Sequence, residues 1–297
     1  MPSVMRLWEL ATSMGRIQEE LDSLKRRVND LSDSSSDDLT YLRAEQSQLH
    51  TLVTARLEAQ MDFLNQEIHG LKRRMYHPGA TEDTRAFNGQ FSKVRIFDEL
   101  CAAFPFEGFI ETGTHVGWTT EHLCRKGKPV YSAEIQAEHY ARAEERLRNE
   151  RQLHLFLGDS VEFLRAGVWE DLGKADLLFF YLDAHWLEHL PLREELDLIA
   201  TEHARAVVMI DDFKVEDDPG YGYDSYGRGQ EITLEFLKDE LRCHGWQVFF
   251  PALPSTHDHM TTDILPPRGT AVMACAPEVV DVLRRVPSLR FWPLPKE

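Results

Sequence analysis

The sequence predicts an α/β fold: a doubly wound, mostly parallel sheet of seven strands with an antiparallel last strand, preceded by an N-terminal α-helical coiled coil. Three observations lead to this prediction. Short apolar runs alternate with helix-length segments from about residue 104 to 275, as in repeated βα units. The last two runs are joined by a loop without a helix, which favours antiparallel pairing. The first 75 or so residues carry a heptad pattern.

The N-terminal region has apolar residues separated by alternating steps of three and four. They are Leu7, Leu10, Met14, Ile17, Leu21, Leu24, Val28 and Leu31. So narrow a stripe favours burial against another chain, hence self-association as an oligomer, over packing on the chain's own domain. A serine- and aspartate-rich break at 32–38 precedes a looser continuation to Leu71. One interrupted coiled coil and a helical hairpin both fit this pattern.

These patterns divide the chain into a coiled-coil region (1–76), a linker with a lead-in helix (77–103) and an α/β domain (104–297). Strands are predicted at 108–110, 130–133, 153–157, 176–182, 206–210, 245–250 and 270–275. Helices are predicted at 91–104, 118–127, 136–150, 160–167, 191–203 and 230–243. In such a sheet, ligands bind at the carboxyl ends of the strands, near the point where strand order reverses. The residues that follow each strand are therefore the candidate site.

The composition limits the range of partners. The chain has 297 residues, 42% of them hydrophobic, with 50 Asp and Glu against 33 Lys and Arg and a net charge of -17. This acidity disfavours nucleic acid and anionic membrane surfaces as partners. The chain has no signal-like apolar run near Met1, no apolar stretch of membrane-spanning length and no C-x-x-C pair. We therefore expect a cytoplasmic protein with no membrane association.

The first predicted strand ends in Glu-Thr-Gly-Thr-His-Val-Gly over residues 111–117. A dinucleotide fingerprint would need glycine where His115 and Trp118 stand, which disfavours a nicotinamide cofactor. The glycines allow the backbone to approach a ligand that lacks a pyrophosphate. Glu111 supplies an acidic group suited to a cationic amino group or a sulfonium.

The second and third strands end in residues suited to a nucleoside. Glu134 follows the glycine turn by about 20 residues, where a carboxylate accepts hydrogen bonds from ribose hydroxyls. The third strand ends in Gly158-Asp159-Ser160, where the polar pair Asp159 and Ser160 can hydrogen-bond an adenine ring, cap the next helix, or do both.

The fourth and fifth strands bring carboxylates to the same edge. Asp183 and His185 follow the fourth strand, and Asp211 and Asp212 follow the fifth. Like charges this close need protonation, a nearby Lys or Arg, or a cation. Oxygen ligands favour magnesium, calcium or manganese. His185 would then be a softer ligand or a base.

Two loops follow as candidate walls of the acceptor pocket. Residues 217–229 are rich in Gly and Tyr, and residues 254–259 end in His-Asp-His. Ordinary surface loops are the alternative interpretation of both.

In their order, the strand-end motifs resemble those of the class I S-adenosylmethionine-dependent methyltransferases, which have a Rossmann-like fold. The most similar group is the metal-dependent O-methyltransferases of catechol and macrolide-sugar type. The resemblance implies that S-adenosylmethionine is bound by Glu111, Gly113, Thr114, Gly117, Glu134, Asp159, Ser160 and Asp183. It also implies that Mg²⁺ or another divalent cation is held by Asp183, Asp211 and Asp212. The position of the catechol-type lysine base is Trp186 here, so His185, with Asp183, is the candidate catalytic pair, and His189 is an alternative base.

The predicted function is that of an S-adenosylmethionine-dependent O-methyltransferase (EC 2.1.1.-). Its predicted acceptor is a hydroxyl of a small molecule or glycan: a sugar, a glycosylated metabolite or another polyol. Divalent-metal assistance is expected from the resemblance. Two alternatives use the same sequence features. One is a cephalosporin-hydroxylase-like enzyme on the same fold, and the other is a non-catalytic coiled-coil scaffold with a degenerate methyltransferase domain.

Overall fold

The computed structural model describes residues 85–167, 172, 177–185, 190–203, 205–227, 229–257 and 266–294. The chain divides into two units, Met1–Lys72 and Arg73–Glu297, and all the described residues belong to the second. The predicted coiled coil (1–76) lies outside the described residues, as do Trp186 and His189. In the described part of the chain, no helix is both long and apolar enough to cross a membrane.

The described residues alternate between strands and helices, as the sequence predicts. The strands are β1 (Gly108–Thr112), β2 (Val130–Glu134), β3 (Leu153–Leu157), β4 (Leu178–Leu182), β5 (Ala206–Asp211), β6 (Gln247–Pro251), β7 (Thr270–Ala274) and β8 (Leu289–Trp292). The helices are α1 (Phe91–Ala103), α2 (Trp118–Cys124), α3 (Ala137–Leu147), α4 (Ser160–Ala166), α5 (Leu192–Glu202), α6 (Lys238–His244) and α7 (Pro277–Leu283). A short 3-10 turn, Phe87–Gly89, precedes α1.

The strands form one sheet in the order β3-β2-β1-β4-β5-β7-β6-β8. Strands β1 to β5 are parallel, and β7 is antiparallel to both β5 and β6. The strand order reverses between β1 and β4, so the carboxyl ends of these two strands are the expected ligand position. The predicted doubly wound, mostly parallel sheet with an antiparallel β7 is confirmed.

The end of the chain differs from the prediction. A further strand, β8, pairs antiparallel with β6 and makes the sheet eight-stranded. It is a four-residue edge strand with mostly half-buried side chains, which leaves only a weak periodic signal in the sequence. Helix α6 begins at Lys238, whereas the prediction began it at 230. Ile232 and Leu237 are buried in turns there, so their apolar character does not mark a helix.

Two apolar layers cover the sheet, one on each face. Side chains of β4 alternate between them: Phe180 belongs to the layer that contains residues of α4 and α5, whereas Phe179 belongs to the layer that contains residues of α1. Phe97 of α1 is fully buried and packs against Phe109 and Phe179. The predicted lead-in helix is thus part of the same core as the sheet.

Candidate functional site

A cavity of about 500 Å³ opens at the carboxyl ends of the strands, beside the reversal of strand order. Its size is within the range of small-molecule binding sites. Six of the predicted site residues line it: Gly113, Glu134, Ser160, Asp183, His185 and Asp212. Five further lining residues carry polar side chains that the sequence analysis did not select individually: Asn88, His115, Gln136, His139 and Asp224. Asp224 comes from the Gly- and Tyr-rich loop that the sequence places at the acceptor pocket.

The other predicted site residues lie behind the cavity wall. Glu111, Thr114, Gly117, Asp159 and Asp211 are not among the residues that line it. Thr114 shares a hydrogen bond of 2.5 Å with the Ser132 hydroxyl. Asp159 caps α4, because its Oδ1 accepts hydrogen bonds from the N–H groups of Val161 (2.8 Å) and Glu162 (3.2 Å). Helix capping is therefore the role that the contacts of Asp159 show.

The turn after β1 is held tightly against the end of β4. Gly113 has φ +91°, and a Cβ atom there would lie 2.3 Å from the carbonyl oxygen of Asp183. The N–H of Asp183 donates to the carbonyl of Thr112 at 2.9 Å. Gly117 has φ +80°, and its Cβ would lie 2.7 Å from Leu147 Cδ1. Both positions combine a positive φ with a close approach, so the sequence needs glycine there.

Glu134 joins the ends of β1 and β2. Its Oε2 accepts a hydrogen bond of 2.6 Å from the N–H of His115, and its Oε1 accepts one of 2.8 Å from the N–H of Gln136. His115 has a left-handed backbone with φ +49°, which directs its N–H at the carboxylate. Glu134 is thereby fixed at the cavity wall, and each oxygen keeps a lone pair for a ligand hydroxyl.

The carboxylates after β4 and β5 form a cluster with two cations. We call Asp183, Asp211, Asp212 and Asp224 the carboxylate cluster. Lys93 of α1 is fully buried; its Nζ forms an ion pair with Asp211 and lies 3.3 Å from Asp212 Oδ1. Arg268 Nε donates to Asp212 Oδ1 at 2.8 Å, and the same guanidinium pairs with Asp224.

These contacts set the charge of the cluster. Burial lowers the pKa of Lys93, but the carboxylates of Asp211 and Asp212 outweigh it and raise that pKa above 10.5. Burial raises the pKa of Asp212, but Lys93 and Arg268 hold it below its usual value. Asp183 differs, because burial and the charges of Asp211 and Asp212 raise its pKa well above the usual range. Lys93 and Arg268 are therefore cationic, and the raised pKa of Asp183 favours its protonated form.

His185 faces the cluster from the cavity side. Its Nε2 has no hydrogen-bond partner among the described residues and lies 3.7 Å from Asp183 Oδ1. Burial lowers the pKa of His185 below 6.5, so the ring is neutral at neutral pH. Ligand atoms of His185, Asp212 and Asp224 lie within 4.8 Å of one another. This buried nitrogen therefore has an unused hydrogen-bonding position beside the carboxylate cluster.

A strained turn before α1 also reaches the site. Phe87 and Asn88 both have left-handed backbones, with φ +53° and +57°. Two such residues in succession are rare outside glycine and mark a turn held by its surroundings. The Asn88 amide donates to Asp211 Oδ2 at 2.9 Å and to Asp183 Oδ2 at 3.4 Å. The Asn-Gly pair at 88–89 is the sequence signal for this turn.

No protein-family model matches the chain, and no curated protein sequence does either. Solved structures of methyltransferases are similar to it. One is the methyltransferase domain of a bacterial protein, CtHen1, with 16% identity, a TM-score of 0.40 and coverage of 63% of this chain and 97% of that one. An O-methyltransferase from Bacillus cereus in complex with SAH has 12% identity, a TM-score of 0.42 and coverage of 62% and 81%. A SAM-dependent methyltransferase from Aquifex aeolicus has 14% identity, a TM-score of 0.39 and coverage of 61% and 90%.

The assignment of the fold rests on the chain's own sheet. Five parallel strands, a reversal between β1 and β4 and an antiparallel β7 make up the layout of the Rossmann-like methyltransferase fold. The glycine turn, Glu134 and the carboxylate cluster all lie at the edge of the sheet where that fold binds its ligands.

Proposed function

We propose that this protein is an S-adenosylmethionine-dependent methyltransferase that methylates a hydroxyl of a sugar, a glycosylated metabolite or another polyol. The observation that carries the proposal is one cavity lined by Gly113, Glu134, Asp183 and His185. It combines a glycine turn and an anchored carboxylate with a neutral histidine. S-adenosylmethionine, when bound, supplies a methyl group on a sulfonium centre.

The cofactor end of the cavity lies between the turns after β1, β2 and β3. The fixed Glu134 carboxylate is suited to two neighbouring hydroxyls of a ribose. Gly158 and Ser160 line the wall after β3, where an adenine ring would lie. We retain Thr114, Gly117 and Asp159 in the proposal as residues that shape the turns from behind, through the contacts described above. Glu111 is retained for the same reason, because its Oε2 accepts hydrogen bonds from the hydroxyls of Thr120 and Ser132.

The acceptor end lies beside the carboxylate cluster. His185 Nε2 is neutral, without a hydrogen-bond partner in the described part of the chain, and therefore able to accept a proton from a hydroxyl. The Asp183 carboxyl lies 3.7 Å from this nitrogen and would help to fix the orientation of the ring. Asn88 and Asp224 also line this end and can hydrogen-bond the other hydroxyls of a polyol. Methyl transfer then depends mainly on the position of the attacking oxygen.

Calorimetric titration with S-adenosylhomocysteine tests cofactor binding. We expect the wild type to bind it and Gly113→Ala to lose most of the affinity, because the new Cβ would lie 2.3 Å from the Asp183 carbonyl oxygen. Gly127→Ala is the matched control: that glycine also has a positive φ, +71°, but a Cβ there would meet nothing within 4 Å. If both variants lose binding, or if neither does, the cofactor does not bind beside Gly113 as proposed. A wild type that does not bind would support the non-catalytic scaffold.

Mass spectrometry against a panel of sugars, polyols and phenols tests the reaction. We expect a methylated product with a hydroxyl acceptor, and a rate that falls by about 100-fold or more in His185→Gln, in keeping with loss of a general base. His154, which stacks on Tyr131 at 4.6 Å and does not line the cavity, provides the control variant His154→Gln. Equal rates for the two variants would remove His185 from the mechanism.

A further inference from the structure

We infer that the Lys93 ammonium is the resident cation of the carboxylate cluster, in the place that the sequence analysis assigned to a divalent metal. The predicted metal ligands are Asp183, Asp211 and Asp212, and two of them are bonded to cationic side chains. The inference concerns the site of the proposed function, but its evidence and its test do not involve methyl transfer.

Asp211 has no oxygen facing the cavity. Its Oδ1 is paired with Lys93, and its Oδ2 accepts a hydrogen bond of 2.9 Å from the Asn88 amide. The residue has 0% exposure. A magnesium ion needs oxygen ligands with free lone pairs, arranged in near-octahedral geometry. At Asp211, N–H donors occupy both oxygens, so this side chain does not fit the ligand role.

Asp212 is also fully engaged. Its Oδ1 accepts a hydrogen bond of 2.8 Å from Arg268 and lies 3.3 Å from Lys93 Nζ, and its Oδ2 lies 2.7 Å from the Arg268 guanidinium. Arg268 pairs with Asp224 as well, so it bridges two members of the potential ligand group of His185, Asp212 and Asp224. A divalent ion bound there would lie against an ammonium and a guanidinium, which repel it.

The position of Lys93 is itself evidence for this role. It lies on the buried face of α1, with 0% exposure, beside the apolar Ile96 and Phe97. Burial of an ammonium is costly unless it is paired and hydrogen-bonded. Asp211 and Asp212 are the side chains that pair with it among the described residues. Helix α1 thus fixes a positive charge at a defined point behind the cavity wall.

Removal of this charge should create a metal site. In Lys93→Met, Asp211 Oδ1 loses its ammonium partner while Asp212 keeps Arg268. The net negative charge of the cluster rises by one, and Asp211 gains a free oxygen for a divalent cation. Breaking one side of a buried pair is strongly destabilising, and we expect the Tm of this variant to fall by about 10 °C. Mn²⁺ should restore part of that loss, because a ligand that binds only the folded state raises Tm.

The experiment measures Mn²⁺ binding by electron paramagnetic resonance, and Tm with and without millimolar Mn²⁺, in the absence of any cofactor. We expect the wild type to show no saturable binding and no shift in Tm. Lys93→Met should bind Mn²⁺ and gain several degrees from it. Lys126→Met is the matched control, since Lys126 is a partly exposed lysine that pairs with Asp98 at 2.7 Å; it should behave as the wild type does.

A double variant covers the case in which Lys93→Met does not fold. Lys93→Met with Asp211→Asn removes both partners, so it should be more stable than the single variant and insensitive to Mn²⁺. Saturable Mn²⁺ binding by the wild type would overturn the inference, and so would a Lys93→Met variant whose Tm and Mn²⁺ response match those of Lys126→Met. Neither result depends on S-adenosylhomocysteine, so failure here is distinguishable from failure of the proposed function.

Discussion

Glu111 is a buried residue at the start of the glycine turn, and its protonation changes near neutral pH. Its side chain has 0% exposure, and its Oε2 accepts hydrogen bonds from the hydroxyls of Thr120 (2.5 Å) and Ser132 (2.6 Å). Burial raises the pKa of Glu111 from 4.5 to about 7, and the two hydrogen bonds offset only part of this effect. The folded protein therefore holds a proton near neutrality that the unfolded chain binds only in acid.

We expect this proton to give the folded state a measurable pH dependence. A raised folded-state pKa contributes stability that is fully present below about pH 4.5 and is lost as pH rises through about 7. Glu111→Gln removes the titration, so the free energy of unfolding of the wild type relative to this variant should fall by up to about 3 kcal/mol across that window.

Urea denaturation at several pH values measures this difference. Glu138→Gln is the control, because Glu138 is an exposed residue of α3, with 74% of its side chain accessible. Stability curves of the wild type and Glu111→Gln that run parallel from pH 4.5 to 7.5 would contradict the prediction.

At the scale of elements, periodicity predicted what depends on local sequence. The five βα units and the antiparallel β7 came from apolar runs and their spacing, and the strand-end rule brought Gly113, Glu134, Asp183 and His185 to one cavity. Strand β8 was missed because an edge strand of four residues has little periodic signal.

The site residues that the sequence analysis did not predict come from segments distant in sequence from their partners. Lys93 pairs with a residue 118 positions away, and Asn88 with one 123 positions away. No local pattern specifies such pairs. One signal was present: Lys93 shares the helical face of Phe97 and Leu100, and a lysine within an apolar stripe indicates a buried partner of opposite charge.

Helix α1 allows a prediction about the domain boundary. Because Ile96, Phe97 and Leu100 are buried in the core, a truncated chain that begins at residue 104 loses both this packing and the Lys93 charge. We expect it to unfold at a much lower temperature than a chain of residues 77–297, or to aggregate on expression. Circular dichroism melts of the two chains make the comparison. Equal Tm values would show that α1 is dispensable to the fold.

At the scale of the whole molecule, the site is assembled from three separated regions. The turn and helix at 85–103 supply Asn88 and Lys93, the strand ends supply the lining carboxylates, and the segment after 266 supplies Arg268. Local changes in any of these regions therefore alter the charge balance of the cavity. The residues of the proposed site all belong to the second unit, so we expect residues 1–76 to have a separate role.

The heptad seam of residues 1–76 predicts that this role is self-association. Light scattering should give an oligomer for the full chain and a monomer for residues 77–297, with the same affinity for S-adenosylhomocysteine, because the cavity residues all lie in the second unit. The double variant Leu21→Glu with Leu24→Glu places charges in the apolar seam and should reduce the mass of the particle that the full chain forms. Arg26→Glu with Arg27→Glu changes charge outside the seam and serves as the control. An unchanged number of chains per particle after removal of residues 1–76 would contradict a role of this region in self-association.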